Sequence, residues 1–267
     1  MKRFTTRTLA LALLLSAGTT VRAENRPLVC QSSEQKTRLV ELYTSEGCSS
    51  CPPAERWLSE LKNSPMLWKD FVPLAFHVDY WNQLGWRDPW SQMEFSKRQA
   101  AYAQLWQTEN VYTPEFVLNG NEWEVGWDKR EIPKPSDAKV GVLMAVLAGT
   151  NRWEVSFSPT HPAVDGYEVN AALLESGISS DVKAGENRGR KLVHDFAVVK
   201  LTKDTLSLRD GAWRGVITLA SPQKAPVGQL ALALWLNRPG RLQPIQATGC
   251  WLPQSEASVK SHNEAGK

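Results

Sequence analysis

The chain has 267 residues, of which 42% are hydrophobic and 22% are charged, and its formal net charge is +3. The first 23 residues hold four of the 31 basic residues and none of the 28 acidic ones, so the chain without them would carry a net charge of −1. Nucleic-acid binding needs a basic surface, which a near-neutral protein lacks, so we expect no nucleic-acid partner.

The N-terminal segment 1–23 has the pattern of a secretory signal peptide. It begins with Lys2 and Arg3, continues with the apolar run "LALALLLSAG" and ends in the small-x-small sequence "VRA". The apolar run is about half of the roughly 20 residues that a membrane span needs, and no later stretch is long enough. The sequence therefore predicts a periplasmic or secreted protein without a membrane span.

The first half of the remaining chain alternates short apolar runs with amphipathic segments. A strand is predicted at 38–44, followed by a helix that opens with Pro52 and Pro53, because the first helical turn tolerates proline. The patterns then predict a strand at 71–81, a helix at 88–107, a hairpin over 113–127 that turns at Asn119 and Gly120, and a helix at 136–149.

After residue 150 the pattern changes to strand-like runs separated by turn signals, at the spacing of a small sandwich. We therefore predict an N-terminal arm at 24–36, a first domain at 37–150, a second domain at 151–252 and a polar tail at 253–267. No Ser-His-Asp arrangement, phosphate loop or dinucleotide motif occurs in the sequence, which argues against hydrolases and nucleotide-binding enzymes. The predicted strands of the second domain are 151–159, 166–175, 191–202, 211–220 and 229–238.

Cys48 and Cys51 form a Cys-x-x-Cys pair between the first predicted strand and helix. A helix N-terminus stabilises a thiolate, so we predict redox chemistry with Cys48 as the exposed nucleophile and Cys51 as the resolving thiol. An inert structural disulfide is one alternative, and a copper site that adds His77 is another. Zinc would need a second Cys or His pair, which the sequence does not supply. We expect no cofactor and no metal.

Four stretches together resemble a known family: "VELYTSEGCSSCPPAE", "HVDYWNQLGWRDPW", "VYTPEFVLNG" and "GENRGRKLVH". They are similar to the secreted thioredoxin-like family catalogued as domain of unknown function 1223, over about residues 37 to 245. The resemblance implies an α/β thioredoxin-like domain followed by an all-β sandwich-like C-terminal domain. It also implies that the Thr113-Pro114 bond is cis, lies near Cys48 and contacts substrate. The tryptophan that thioredoxins carry before the first cysteine is Gly47 here.

The same resemblance gives Glu41 a catalytic role. In thioredoxins a buried acid on this strand helps to move the proton of the resolving thiol, and burial would raise the pKa of Glu41 toward neutrality. The alternative is an acid at a strand edge that is bonded to the backbone or to a lysine.

His77 and Asp79 alternate on the second strand and so point to the same face. They are candidates for tuning the thiols or for contacting substrate, and the alternative is a structural hydrogen bond. Trp81 is a further candidate for substrate binding, because with Trp86 and Trp90 it could wall a groove. Core packing explains these tryptophans equally well.

Two further features lie outside the Cys-x-x-Cys unit. Cys30 and Cys250 are expected to form a structural disulfide, as exported proteins rarely leave thiols unpaired, and the alternative is two buried free thiols. The segment 185–191, "GENRGRK", places Arg188 and Arg190 between glycines, which suits an anion-binding loop or, more commonly, a solvated turn.

These features predict an exported thiol-disulfide oxidoreductase whose partners are protein thiols or disulfides, including a redox partner protein. The alternative from another class is a non-catalytic binding module in the cell envelope, with a peptide, copper or an apolar molecule as its ligand.

Overall fold

The computed structural model describes residues 27–123, 131–161, 165–220 and 226–253. The predicted signal peptide, the far end of the predicted hairpin and nearly all of the polar tail lie outside these ranges. The described residues form two α-helices, α1 (Cys51–Glu60) and α2 (Met93–Leu105), and fourteen strands. The strands are β1 (Val29–Gln31), β2 (Arg38–Thr44), β3 (Phe71–His77), β4 (Glu115–Leu118), β5 (Asn121–Glu122), β6 (Gly141–Leu147), β7 (Arg152–Pro159), β8 (Tyr167–Ser176), β9 (Ile178–Asp181), β10 (Lys191–His194), β11 (Ala197–Arg209), β12 (Ala212–Thr218), β13 (Gln229–Asn237) and β14 (Gln246–Trp251).

Strand β2 and its neighbours position the Cys-x-x-Cys pair. Every residue of β2 is buried, and the strand pairs in parallel with β3 and antiparallel with β4. Helix α1 starts soon after β2 and leads back to β3, as a parallel pair requires a crossover connection. The turn between β4 and β5 places Asn119 and Gly120 at positive φ, which confirms the predicted hairpin turn.

The long strand β11 joins the two halves of the chain in one sheet. Its first residue, Ala197, pairs in parallel with Ala75 of β3, and its last residues pair with β12. Its other edge pairs with β8 from Ala197 to Leu206. The result is a mixed sheet of twelve strands with the path β1-β6-β7-β12-β11-β3-β2-β4-β5, on which β8, β13 and β14 branch from β11.

This sheet shows that the predicted fold class is wrong. The chain is not an α/β thioredoxin-like domain followed by an all-β sandwich-like domain, since strands from both halves hydrogen-bond in the same sheet. A separate sheet in the first domain would end at β3, but the outer edge of β3 pairs with β11. Among the described residues strands greatly outnumber helices, and strands β9 and β10 form a separate two-stranded sheet.

The predicted helix at 136–149 is also wrong, because strand β6 occupies residues 141–147. Its apolar run "GVLMAVL" alternates between buried and half-buried positions and pairs with β1 and β7. The predicted strand at 191–202 is two strands, β10 and β11, separated by Phe196 at positive φ. Strands β1, β9 and β14 were not predicted.

Two apolar clusters lie on opposite faces of β8 and β13. Ala172, Leu174 and Trp235 belong to the cluster that includes α1, α2 and β2, whereas Leu173 and Leu234 belong to the cluster that includes β6 and β7. This alternation is the period of two expected of a strand that is buried on both faces.

A disulfide between Cys30 and Cys250 confirms the predicted pairing. It joins β1, at one end of the sheet path, to β14, the outermost strand of the branch. None of the helices in the described ranges has the length and apolar character needed to cross a membrane.

Candidate functional site

The Cys-x-x-Cys pair lies where β2 gives way to α1. Strand β2 ends at Thr44, and Cys51 is the first residue of α1. Cys48 and Cys51 are joined in a disulfide, and both side chains are 0% exposed. The prediction that Cys48 is exposed is therefore wrong for this oxidised state. The strand, cysteine pair and helix do follow one another as predicted.

The Thr113-Pro114 peptide bond is cis and lies beside Cys48, as predicted. The Thr113 carbonyl oxygen is 3.6 Å from Cys48 Sγ, and the Ser50 hydroxyl is 3.3 Å from the same sulfur. Ser50 is the N-cap residue of α1, but its side chain does not cap the helix. The polar neighbours of this sulfur thus come from the helix N-terminus and from the segment that precedes β4.

Trp81 fills the space beside the residue before Cys48. Its Nε1 donates a hydrogen bond of 2.8 Å to Thr113 Oγ1. A Cβ added at Gly47 would lie 2.8 Å from Trp81 Cβ, closer than side-chain atoms pack. Gly47 therefore leaves room for Trp81. This side chain packs against residues 46–49, which we call the Cys48 segment, and contacts Thr113, the residue before Pro114.

A distant loop, residues 185–190, covers the Cys48 segment. We call it the covering loop. Asn187, which is 0% exposed, donates through Nδ2 to the carbonyl oxygens of Glu46 and Cys48, each at 2.8 Å. Glu186 accepts a 3.0 Å hydrogen bond from the Ser49 backbone N–H. The sequence pattern drew attention only to the arginines of this loop, so Asn187 was missed.

Beside the Cys48 segment lies a group of buried polar side chains, Glu46, Glu55, His77, Asp88 and His194, which we call the buried cluster. His194 bridges two acids: Nδ1 is 2.5 Å from Glu55 Oε2, and Nε2 is 2.9 Å from Glu46 Oε1. Burial lowers the pKa of His194, but these two carboxylates outweigh it and raise the pKa to about 10. Between two acids, His194 is thus an imidazolium cation.

The two acids bound to His194 have further partners. Burial by itself raises the pKa of Glu55, but His194 and a 2.5 Å hydrogen bond from the Thr44 hydroxyl lower it overall. Trp86 donates to Glu46 Oε2 at 2.6 Å, and the Ser180 hydroxyl also contacts Glu46. The cluster and these partners therefore come from β2, α1, β3, β9, the end of β10 and the loops that follow β2 and β3.

His77 and Asp88 form the second half of the buried cluster. His77 Nδ1 is 2.7 Å from Asp88 Oδ2, and both side chains are 0% exposed. Burial raises the pKa of Asp88, but His77 and the backbone N–H groups of Glu46 and Trp90 lower it overall. Asp88 is thus a carboxylate that accepts a hydrogen bond from His77 Nδ1–H. The rings of His77 and His194 meet edge to face with centroids 4.9 Å apart.

The remaining predicted residues bond elsewhere. Asp79 accepts a 2.5 Å hydrogen bond from Ser96, so it does not share a partner with His77. Glu41 forms a buried ion pair of 2.7 Å with Arg98 and accepts a 2.7 Å hydrogen bond from the Tyr102 hydroxyl. This arrangement resembles the structural alternative for Glu41, with arginine in place of lysine. Trp90 packs on the rings of His77 and His194.

A buried acid that the sequence did not single out follows Pro114. Glu115 is 2% exposed and accepts a 2.6 Å hydrogen bond from Gln99 Nε2. Burial is the main cause that raises its pKa to about 7, with smaller contributions from Glu122 and Glu41. Glu115 can therefore exchange a proton near neutral pH.

The arrangement supports two kinds of chemistry. A disulfide at a helix N-terminus can take up two electrons and be reformed by exchange. In addition, Glu55, His77 and His194 each place one ligand atom within 4.8 Å of the others. The copper site considered from the sequence, with His77 and both cysteines, is not what the structure assembles, because the cysteines are bonded to each other and His77 contacts Asp88.

Three comparisons place the chain among known proteins. An X-ray structure of a protein from Agrobacterium tumefaciens is 27% identical, with a TM-score of 0.55, over 84% of this chain and 97% of that one. HBP35 of Porphyromonas gingivalis resembles the fold, with 14% identity and a TM-score of 0.59 over 84% of this chain and 78% of that one. No curated protein matches the sequence. The sequence profile described as "Protein of unknown function (DUF1223)" matches residues 39–237, so the chain belongs to that family.

Proposed function

We propose that the protein is an exported thiol-disulfide oxidoreductase that exchanges disulfides with other proteins through Cys48 and Cys51. One observation carries the proposal: the two cysteines are bonded to each other at the N-terminus of α1, with the Thr113 carbonyl against Cys48 Sγ. A disulfide that closes so short a loop constrains the unfolded chain little, so stabilisation alone is a weak reason for it.

The exchange reaction has two steps. In the reduced protein the Cys48 thiolate attacks a partner disulfide, which forms a mixed disulfide and releases one partner thiolate. The Cys51 thiolate then attacks Cys48 Sγ, which closes the Cys48–Cys51 bond and releases the second partner thiolate. The partner gains two electrons and takes up the two protons that the cysteines lose. The reverse sequence oxidises a partner dithiol.

The surroundings of Cys48 favour its thiolate form. Cys48 lies just before the N-terminus of α1, where the positive end of the helix dipole is found, and such a position lowers the pKa of a thiol. The Ser50 hydroxyl, 3.3 Å from Cys48 Sγ, can donate a hydrogen bond to a thiolate. Cys48 is fully buried and the covering loop binds the backbone on both sides of Gly47, so exchange with a partner requires these contacts to loosen.

Export forms part of the proposal. The Cys30–Cys250 disulfide is of the kind that persists in oxidising compartments, and the chain starts with the basic and apolar pattern of a signal peptide. A processed N-terminus near Glu24, determined on protein recovered from the cell envelope or the medium, is the expected result. Unprocessed protein in the cytoplasm would contradict it.

The full burial of both cysteines favours a second candidate, a non-catalytic binding module in which the Cys48–Cys51 bond is permanent. The two candidates differ in reduction potential. Exchange catalysts have potentials of roughly −270 to −120 mV, whereas structural disulfides lie below about −300 mV. Equilibration of the protein with glutathione or dithiothreitol buffers measures this value.

Trapping of mixed disulfides tests the proposal directly. Cys51→Ser removes the thiol that resolves the mixed disulfide, so this variant should capture partner proteins from the exported fraction on non-reducing gels. Cys48→Ser is the matched control and should capture few. Equal capture by both variants would refute the assigned order of the thiols. A folded Cys51→Ser protein that captures nothing would support the binding module.

A further inference from the structure

The buried cluster contains a ring nitrogen that has no hydrogen-bond partner among the described residues. His77 is 0% exposed, and its Nδ1 proton is bonded to Asp88. Its Nε2 atom is buried and has no hydrogen-bond partner among the described residues. We assign this tautomer from the network, because ionised Asp88 can only accept. An unsatisfied buried polar atom is unfavourable, so Nε2 is the atom of this cluster that lacks a partner for which the fold has left a place.

The same cluster concentrates acidic side chains. Glu46, Glu55 and Asp88 are all buried, and in the described part of the chain the basic side chains bonded to them are His77 and His194. No lysine or arginine in those ranges forms an ion pair with any of the three acids. Buried negative charge is costly unless a cation compensates it.

We propose that Glu55, His77 and His194 bind one divalent transition-metal ion. One ligand atom from each of the three residues lies within 4.8 Å of the others. The ligands of a tetrahedral zinc ion, at about 2.0 to 2.1 Å from the metal, are about 3.3 Å apart. Side-chain rotations that bring each pair of ligand atoms up to about 1.5 Å closer together would complete the site.

The ligand types define the class of ion. Two imidazoles with a carboxylate suit zinc, iron(II), manganese or cobalt, whereas calcium and magnesium prefer oxygen alone. His77 already has the outer partner that metal-bound histidines have, because Asp88 accepts its Nδ1 proton. Both ring nitrogens of His194 bond to carboxylates, so the ion takes the place of one of these hydrogen bonds when it binds.

The proposed metal ligands are different residues from the two cysteines, although Glu55 and Cys51 both belong to α1. Cys51 and Glu55 are one helical turn apart, and Glu46 lies two residues before Cys48. None of the proposed ligands is a cysteine, so metal binding does not require free thiols. The proposal can therefore hold whether or not the protein exchanges disulfides.

Metal content measured on untagged protein tests the proposal. Cells grown with added zinc, manganese or iron should yield full-length protein that retains about one ion per chain after dialysis. The Cys48→Ser/Cys51→Ser variant should retain the same amount, and so should His161→Ala, which removes an exposed histidine outside the cluster. His77→Gln should lose the ion, and Asp88→Asn should bind it about 10- to 100-fold more weakly.

A spectrum of the unaltered protein covers the case in which His77→Gln does not fold. Cobalt-loaded protein should show the visible bands of a nitrogen and oxygen site and no thiolate-to-cobalt charge-transfer band. Fewer than about 0.1 ions per chain after growth in every one of the three metals would overturn the proposal. Metal loss in the cysteine double variant, a thiolate band, or full metal content in folded His77→Gln would also overturn it.

Discussion

The contact between Asn187 and the Cys48 segment gives the sharpest test of the described site. Asn187→Ala removes two hydrogen bonds of 2.8 Å to the carbonyl oxygens of Glu46 and Cys48, in a position that is 0% exposed. Each buried bond contributes about 1 kcal/mol, and a carbonyl left without a partner costs about 1 to 3 kcal/mol. Since water can enter the space left by the amide, we expect a loss of about 2 to 4 kcal/mol in the free energy of unfolding.

Urea denaturation of the oxidised protein, followed by tryptophan fluorescence, measures this loss. Arg190→Ala is the matched control, because it removes the 2.7 Å bond to Asn187 Oδ1 but keeps both bonds to the Cys48 segment. It should cost about 1 kcal/mol or less. Asn187→Ala should also speed the reduction of Cys48–Cys51 by dithiothreitol. A loss within about 0.5 kcal/mol of the control, with an unchanged rate of reduction, would refute the covering role of Asn187.

Two further predictions concern the second disulfide and Glu115. The Cys30→Ser/Cys250→Ser variant should lose about 3 to 5 kcal/mol of stability, because the bond spans 220 residues, and mass mapping without reductant should still find Cys48 bonded to Cys51. Loss of the Cys48–Cys51 bond in this variant would contradict the independence of the two disulfides. The pKa of Glu115 is about 7 in the folded protein and 4.5 for a free side chain. Between these two pH values the folded protein keeps Glu115 protonated, whereas the unfolded chain has lost the proton. Stability should therefore fall as pH rises from about 4.5 to 7, and Glu115→Gln should gain about 1 to 3 kcal/mol over the natural protein at pH 8 but almost nothing at pH 4. An equal gain at both pH values, in urea titrations, would assign the effect to packing instead.

Local sequence signals predicted many elements but not the way in which they pair. Strand β2 and the turn at Asn119 and Gly120 follow from apolar runs and turn chemistry within a few residues. The fold class failed because it depends on one long-range pairing, that of Ala75 with Ala197. Strand β6 was misassigned, since a run of seven apolar residues fits a buried strand and a helix equally well.

The candidate site shows the same division between local and long-range information. The Cys-x-x-Cys pair is a local motif, and the sequence was enough to find it. His194 reaches Glu46 across 148 positions and Glu55 across 139, and no spacing rule connects residues so far apart. One signal was present: Glu46 and Glu55 flank the cysteine pair, close to a predicted buried strand. A buried acid needs a cation or hydrogen-bond donors, and a histidine, an arginine or a lysine can supply them. Arg98 does so for Glu41, and His194 does so for Glu46 and Glu55. The two acids therefore indicate that a partner exists, but the choice of His194 depends on the fold that brings β10 to α1.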